Sequence, residues 1–292
     1  MTVYKPGTIV DGRYCLVAPI GSGATGLVYS AEDRELSAPV AIKFLHPAVG
    51  EDPVVLARMA REARAMGVLS GTSATQILAF NTSQEGVRYI VMELLDGKDL
   101  GAYLVGLESQ GKHLGVERFL ELFEPVVDTL EAAHERGIIH RDVKPANIFV
   151  LRRRARGVVR LLDFGLAKEL GAVGVTRQGA ITGTPIYMSP EGWSGRPQDL
   201  DARADVYSLG AVMFRALAGR PPFQAKGIGL MREVLGAARP SLRVLRPELP
   251  EAVDGWVAQA LAVTPKDRFQ TARALWIALI EALGRELPVD ED

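Results

Sequence analysis

The chain has one cysteine, Cys15, in 292 residues, so no internal disulfide can form. That scarcity fits a reducing compartment. Its four histidines have no ligand spacing, which argues against a zinc site. No charge of either sign dominates: 34 basic residues against 35 acidic ones leave −1. The balance removes any general reason to expect nucleic acid or an anionic membrane as partner. No apolar run approaches the ~20 residues that span a bilayer, and the opening "MTVYKPGTIV" has no signal-peptide core. Internal repeats and low-complexity tracts are also lacking. The expectation is a soluble cytoplasmic protein with no membrane segment and no nucleic-acid partner. With 48% hydrophobic and 24% charged residues, the chain can fill a sizeable core, in one large domain or two lobes.

Two textures divide the sequence. Up to about residue 96, "RYCLVAPIG", "GLVYSAED", "PVAIKFL", "TQILAFNTS" and "VRYIVMELL" are short β-favouring runs bounded by turn residues. One helical stretch, "PVVLARMAREARAMGVL", interrupts them, with Leu56, Met59, Ala63 and Met66 as its apolar stripe. Glu62 lies at the edge of that stripe, where a surface pair with Arg58 is the plainest reading. From residue 97 the texture is helical. Residues 116–136 put Phe119, Leu122, Phe123, Val126, Leu130 and Ala133 on one face and stop before Gly137. Further helices are expected near 203–218, 251–262 and 271–284. The basic run at 152–156 is expected to cap an exposed hairpin. Residues 171–190, rich in Gly and Thr, form a long irregular segment of the kind that is more often functional than structural.

Residues 21–29, "GSGATGLVY", place glycines at Gly21, Gly23 and Gly26 directly after a strand. Without Cβ atoms, backbone N–H groups can approach phosphate oxygens closely. A dinucleotide-binding loop or a plain hairpin reads almost the same, but the former would open a helix, and "LVYSAED" continues as a strand. Lys43, within the apolar "VAIKF", is costly to bury unless it meets an anion. A phosphate or Glu62 could supply one. An edge strand that leaves the lysine in solvent is the alternative.

The stretch "IIHRDVKPANIFV" sets Arg141, Asp142 and Lys144 together between apolar flanks. Taken in order, "GSGATGLV", "VAIK", "HRDVKPAN", "DFG", "GTPIYMSPE", "DVYSLG" and "KDRF" resemble the eukaryotic-like serine/threonine protein kinases of bacteria. The resemblance runs from about Tyr14 to the last helix. It implies an α+β, bilobal fold, with a small β-rich N-lobe (1–96) bearing one main helix and a larger, mainly helical C-lobe (97–292).

It also implies roles. Gly21, Ser22, Gly23 and Gly26 would cover the ATP phosphates, while Lys43 binds them and pairs with Glu62. Val28 and Ala41 would lie on one side of adenine and Phe149 on the other, with Met92, Glu93 and Leu95 along its edge. Asn147 and Asp163 would hold Mg²⁺, or Mn²⁺ in its place. Asp142 would orient the substrate hydroxyl, Lys144 would face the moving phosphoryl group, and Thr184 would contact both. Thr176 and Thr182 in the activation loop (163–191) would be phosphosites, their phosphates met by Arg141 and Lys168, with a dimer for autophosphorylation. Asp205 would tie down the catalytic loop, and Glu191 would pair with Arg268. His140 would be core packing.

Three residue-level alternatives remain. Asp163 is also plausible as a turn residue before Gly165, Thr176 as an ordinary exposed threonine, and Trp193 as either a docking residue or local core. Thr25 stands where an aromatic is frequent, Ser189 where alanine is usual, and the His-Pro pair expected near 69–78 is missing. A scaffold without catalysis should have lost Lys43, Asp142, Asn147 or Asp163, and all four are present. A small-molecule phosphotransferase should lack "GTPIYMSPE". Protein substrates and ATP are therefore expected.

Overall fold

The computed structural model describes residues 4–23, 26–46, 67–152, 157–164, 185–194 and 200–286. They fall into two compact units, one ending at Asp96 and the next beginning at Gly97. Glu62, Lys168, Thr176, Thr182 and Thr184, with residues 53–66 of the helix expected near 53–69, lie outside the described residues.

The first unit is built on an antiparallel sheet. Its strands are β1 (Ile9–Val10), β2 (Tyr14–Gly23), β3 (Gly26–Asp33), β4 (Ala38–Leu45), β5 (Ile77–Thr82) and β6 (Arg88–Glu93), in the order β1-β2-β3-β4-β6-β5. Alternation along each strand sorts side chains onto two faces. One face buries Tyr29, Val40, Ile42, Phe44, Tyr89 and Val91, and Tyr4 of the N-terminal segment packs on it. Rings dominate there because large aromatic surfaces bury the most apolar area per side chain. β4 lies inside the sheet between β3 and β6, so Lys43 is not on an edge strand, and it is buried.

The second unit opens with a small sheet of β7 (Gly97–Asp99), β8 (Ile148–Leu151) and β9 (Val159–Leu161). The β8–β9 hairpin brackets the basic run, of which 153–156 lie outside the described residues. Its helices are α1 (Leu100–Glu108), α2 (Val116–His134), α3 (Ala202–Ala218), α4 (Ile228–Gly236), α5 (Leu242–Leu245), α6 (Ala252–Ala260) and α7 (Ala272–Ala282). All six residues expected on the inner face of α2 are buried, and the five larger ones, Phe119, Leu122, Phe123, Val126 and Leu130, contribute ~1.5–3 kcal/mol each. Phe119 stacks on Phe123 and on Trp276 of α7. At the centre is α3, buried almost along its whole length from Ala204 to Leu217. Asp201 caps it, accepting from the Arg203 amide, and Gly219 in the left-handed region ends it. None of the described helices is long and apolar enough to cross a membrane.

Candidate active site

Cross-strand register gathers the first unit's candidate residues. Val28 is directly opposite Lys43, Ala41 opposite Met92, and Gly21 opposite Val28. Directly opposed residues share a face, so these five lie on the side away from the aromatic core, beside a smaller cluster of Leu45 and Ile90. Gly21, Ser22 and Gly23 are exposed in the strand–loop–strand turn. Gly26 has another duty: a Cβ there would run into the Phe44 carbonyl across the sheet. Glu93 turns its carboxylate onto the Gln76 amide at 3.0 Å, while its own amide donates to the Gln76 carbonyl at 3.1 Å. Leu95 follows, half-buried.

In the second unit, the loop after α2 is held by one buried carboxylate. Gly137, at φ +71°, reverses the chain at the helix end. Asp205, in the first turn of α3, accepts from the amides of His140 and Arg141, both at 2.7 Å, and contacts His134 Nε2 at 2.8 Å. Arg141 sits at φ +63°, a conformation that costs a non-glycine residue roughly 1–3 kcal/mol. Hydrogen bonds of charged acceptors contribute about 1.5–3 kcal/mol each, enough to hold it. His140 is fully buried. Its Nε2 donates to the Leu162 carbonyl at 2.9 Å and its Nδ1 accepts from the Asp142 amide at 3.2 Å. Those two partners fix a neutral tautomer, and burial pushes its pKa down despite the neighbouring aspartates.

The held loop brings three candidate side chains together. Lys144 Nζ donates to Asp142 Oδ2 at 2.8 Å. Asn147, in the turn Pro145–Asn147, donates from Nδ2 to the Asp142 carbonyl at 2.8 Å and to Asp142 Oδ2 at 3.1 Å. With the amide nitrogen turned to Asp142, the side-chain oxygen of Asn147 is the atom left to meet a cation. The Leu162 amide donates to the Asn147 carbonyl at 2.8 Å, bringing the Asp163 segment alongside. Asp163 has φ +49°, and the next residue, Phe164, packs its ring on His140 at 4.6 Å. One carboxylate and one amide oxygen suit Mg²⁺, which takes few protein ligands and completes its shell with phosphates and water. Phe149, on β8, is half-buried, and a Cβ on Gly97 would approach its ring.

Further along, Arg268 donates to both oxygens of Glu191 at 2.7 Å. It also donates to the carbonyls of Ala262, Val263 and Arg203, and it lies over the Tyr207 ring. Trp193 is half-buried in the turn Pro190–Ser194. His134 and the trio Glu108, Tyr187 and Arg215 carry no spacing signal. Their partners lie 28 to 107 residues away, so the fold had to bring them into view.

The family model for the protein kinase domain matches residues 14–276. Serine/threonine-protein kinase Pkn1 of Myxococcus xanthus is 36% identical over 282 residues, which is 95% of this chain and 39% of that protein. PknL of Mycobacterium tuberculosis is 34% identical over 285 residues, covering 97% of this chain and 68% of its own length. The crystal structure of the Mycobacterium tuberculosis PknI kinase domain matches with a TM-score of 0.74 at 28% identity, over 96% of this chain and all of that one. The motifs, the two units and these relatives agree: the chain belongs to the protein kinase family, alongside the bacterial serine/threonine-protein kinases.

Proposed function

We propose that the chain transfers the γ-phosphoryl group of ATP to serine and threonine hydroxyls of proteins. The observation that carries this reading is the cluster of Asp142, Lys144 and Asn147 on a loop pinned by Asp205. Asp142 accepts the hydrogen bond of the substrate hydroxyl and aims its oxygen at the γ-phosphorus. The new O–P bond forms as the bond to the β–γ bridging oxygen breaks, ADP departs, and the hydroxyl proton passes to Asp142. Lys144 neutralises charge on the phosphoryl group in flight. Such a loose transition state asks for positioning and counter-charge more than for a strong base. The loop's multiple tethers meet that demand.

Bound Mg²⁺, or Mn²⁺ in its place, supplies charge neutralisation on the phosphates, with Asn147 and Asp163 as its protein ligands. Lys43 takes the α- and β-phosphates and pairs with Glu62. Gly21, Ser22, Gly23 and Gly26 cover them. Val28, Ala41, Phe149 and Met92 enclose adenine, and Glu93 and Leu95 offer backbone groups to its edge. Thr184 contacts Asp142 and Lys144 and favours Ser/Thr acceptors. Thr176 and Thr182 take phosphate from a second copy, and Arg141 and Lys168 receive it. The assignments of Glu62, Thr184, Thr176, Thr182 and Lys168 rest on the family resemblance. The reading places the chain in the cytoplasm, where ATP is abundant.

The test is transfer from labelled ATP with Mg²⁺ to a generic basic protein, followed by acid hydrolysis. Label recovered as phosphoserine and phosphothreonine is expected. Label chiefly in phosphotyrosine, or ATP cleaved with no protein labelled, would contradict the proposal.

A further inference from the structure

We infer that Arg215, Glu108 and Tyr187 form a positioning junction that sets how the acceptor protein is presented to Asp142. The inference rests on the kinase reading. Arg215 lies in the last turn of α3, with its side chain 15% exposed. Its Nε and Nη2 donate to Glu108 Oε1 and Oε2 at 2.8 and 2.9 Å, so the planar fork meets both carboxylate oxygens. Its remaining nitrogen, Nη1, donates to the Tyr187 hydroxyl at 2.8 Å. One guanidinium therefore joins three elements: the end of α1, the end of α3 and the turn Pro185–Tyr187.

Two of those elements adjoin the proposed chemistry. α1 packs on the Pro145–Asn147 turn, and a Cβ on Gly101 would stand 3.6 Å from Pro145. The helix that carries Glu108 thus also rests on the catalytic loop. The Pro185–Tyr187 turn begins immediately after Thr184, the residue assigned to Asp142. Glu191 at the far end of the segment is gripped by Arg268. Two arginines consequently clamp residues 185–191, Arg215 at the end that follows Thr184 in sequence and Arg268 at the other. Tyr187 is 5% exposed, so a phenylalanine would fill the same volume. What the hydroxyl adds is direction, because it locks the turn to a group that is itself locked to α1. Burial pushes the Tyr187 pKa up, so the phenol stays protonated at neutral pH and can donate as well as accept. A lysine at 215 would keep the charge and lose the fork.

Four variants of the full chain test this: Tyr187→Phe, Arg215→Lys, Arg215→Glu, and Arg215→Glu combined with Glu108→Arg. Each is assayed with Mg·ATP and a generic basic protein. Losing one charge-assisted hydrogen bond should raise the KM for the protein about tenfold in the first two variants. The KM for ATP should stay within about twofold. The single reversal leaves two carboxylates facing each other and should be worst. The double reversal restores the ion pair and lets a carboxylate on α3 accept from the Tyr187 hydroxyl, so it should recover most of the loss. An unchanged protein KM would overturn the inference. So would a rise in ATP KM and a fall in melting temperature that track it, or a double variant no better than the single reversal. A wild type that transfers nothing to protein would instead overturn the kinase reading itself, before any variant is compared.

Discussion

Asp205 and His140 show how much of the candidate site is made by residues that need not touch a substrate. Asp205 is 1% exposed and accepts two backbone amides at 2.7 Å. Both hydrogen bonds end on the loop that presents Asp142. His140 sits between that loop and the Asp163 segment, with each ring nitrogen assigned a partner. The expectation of plain core packing for His140 covers its burial and misses this bridge. Nothing in the sequence pairs it with Leu162, 22 residues away. Its depressed pKa has a consequence for stability. In the unfolded chain the imidazole takes a proton near pH 6.5, whereas in the fold burial keeps it neutral to lower pH. Between those two values the unfolded state binds more protons, so stability falls as pH drops through 6.5. The urea midpoint should therefore decline from pH 7.5 to 5.5, and decline less in His140→Phe. Identical pH dependence in both proteins would show that His140 ionises freely in the fold.

Among the elements, strands were the most legible. β-favouring runs between bounding turn residues located all five longer strands of the first sheet. The α2 stripe and the three later expected helices were equally clear. α1, α4 and α5 were not located. α1 contains Gly101 and Gly106, and α4 contains Gly229 and Gly236. Each interior glycine costs about 1 kcal/mol of helix propensity, and burial of Leu100, Leu104, Leu230 and Val234 overrides it. α5 is a four-residue turn capped by Ser241, too short to show a period. The glycine-rich turn divides unexpectedly by role. Gly23 has open space where a Cβ would go, whereas Gly26 closes on the backbone of β4. Gly26→Ala should cost about 1–3 kcal/mol, as overpacking does, and lower the melting temperature by several degrees. Gly23→Ala should leave it nearly unchanged. Equal effects from the two would mean that close β3–β4 approach is not what Gly26 provides.

Across the molecule, the residues proposed for chemistry are scattered from Gly21 to Thr184, and only their order along the chain made them readable as a set. That order carried the family, the two-unit architecture and the Glu191–Arg268 pair, which spans 77 residues. It did not carry Arg215 with Glu108, because an ion pair across 107 residues has no periodic or motif signature. Five of the proposed residues lie outside the described ones, and their roles stand on the family resemblance alone. The central claim is that the loop pinned by Asp205 holds Asp142 ready to orient an acceptor hydroxyl. Asp142→Asn keeps the size and can still accept from Lys144, but it removes the negative charge that meets the hydroxyl proton. The most direct measurement is the rate of phosphate transfer from Mg·ATP to protein by wild type and by this variant, with melting temperatures compared to establish folding. The account predicts steady labelling by wild type and essentially none by a normally folded Asp142→Asn. Equal labelling by the two would contradict it.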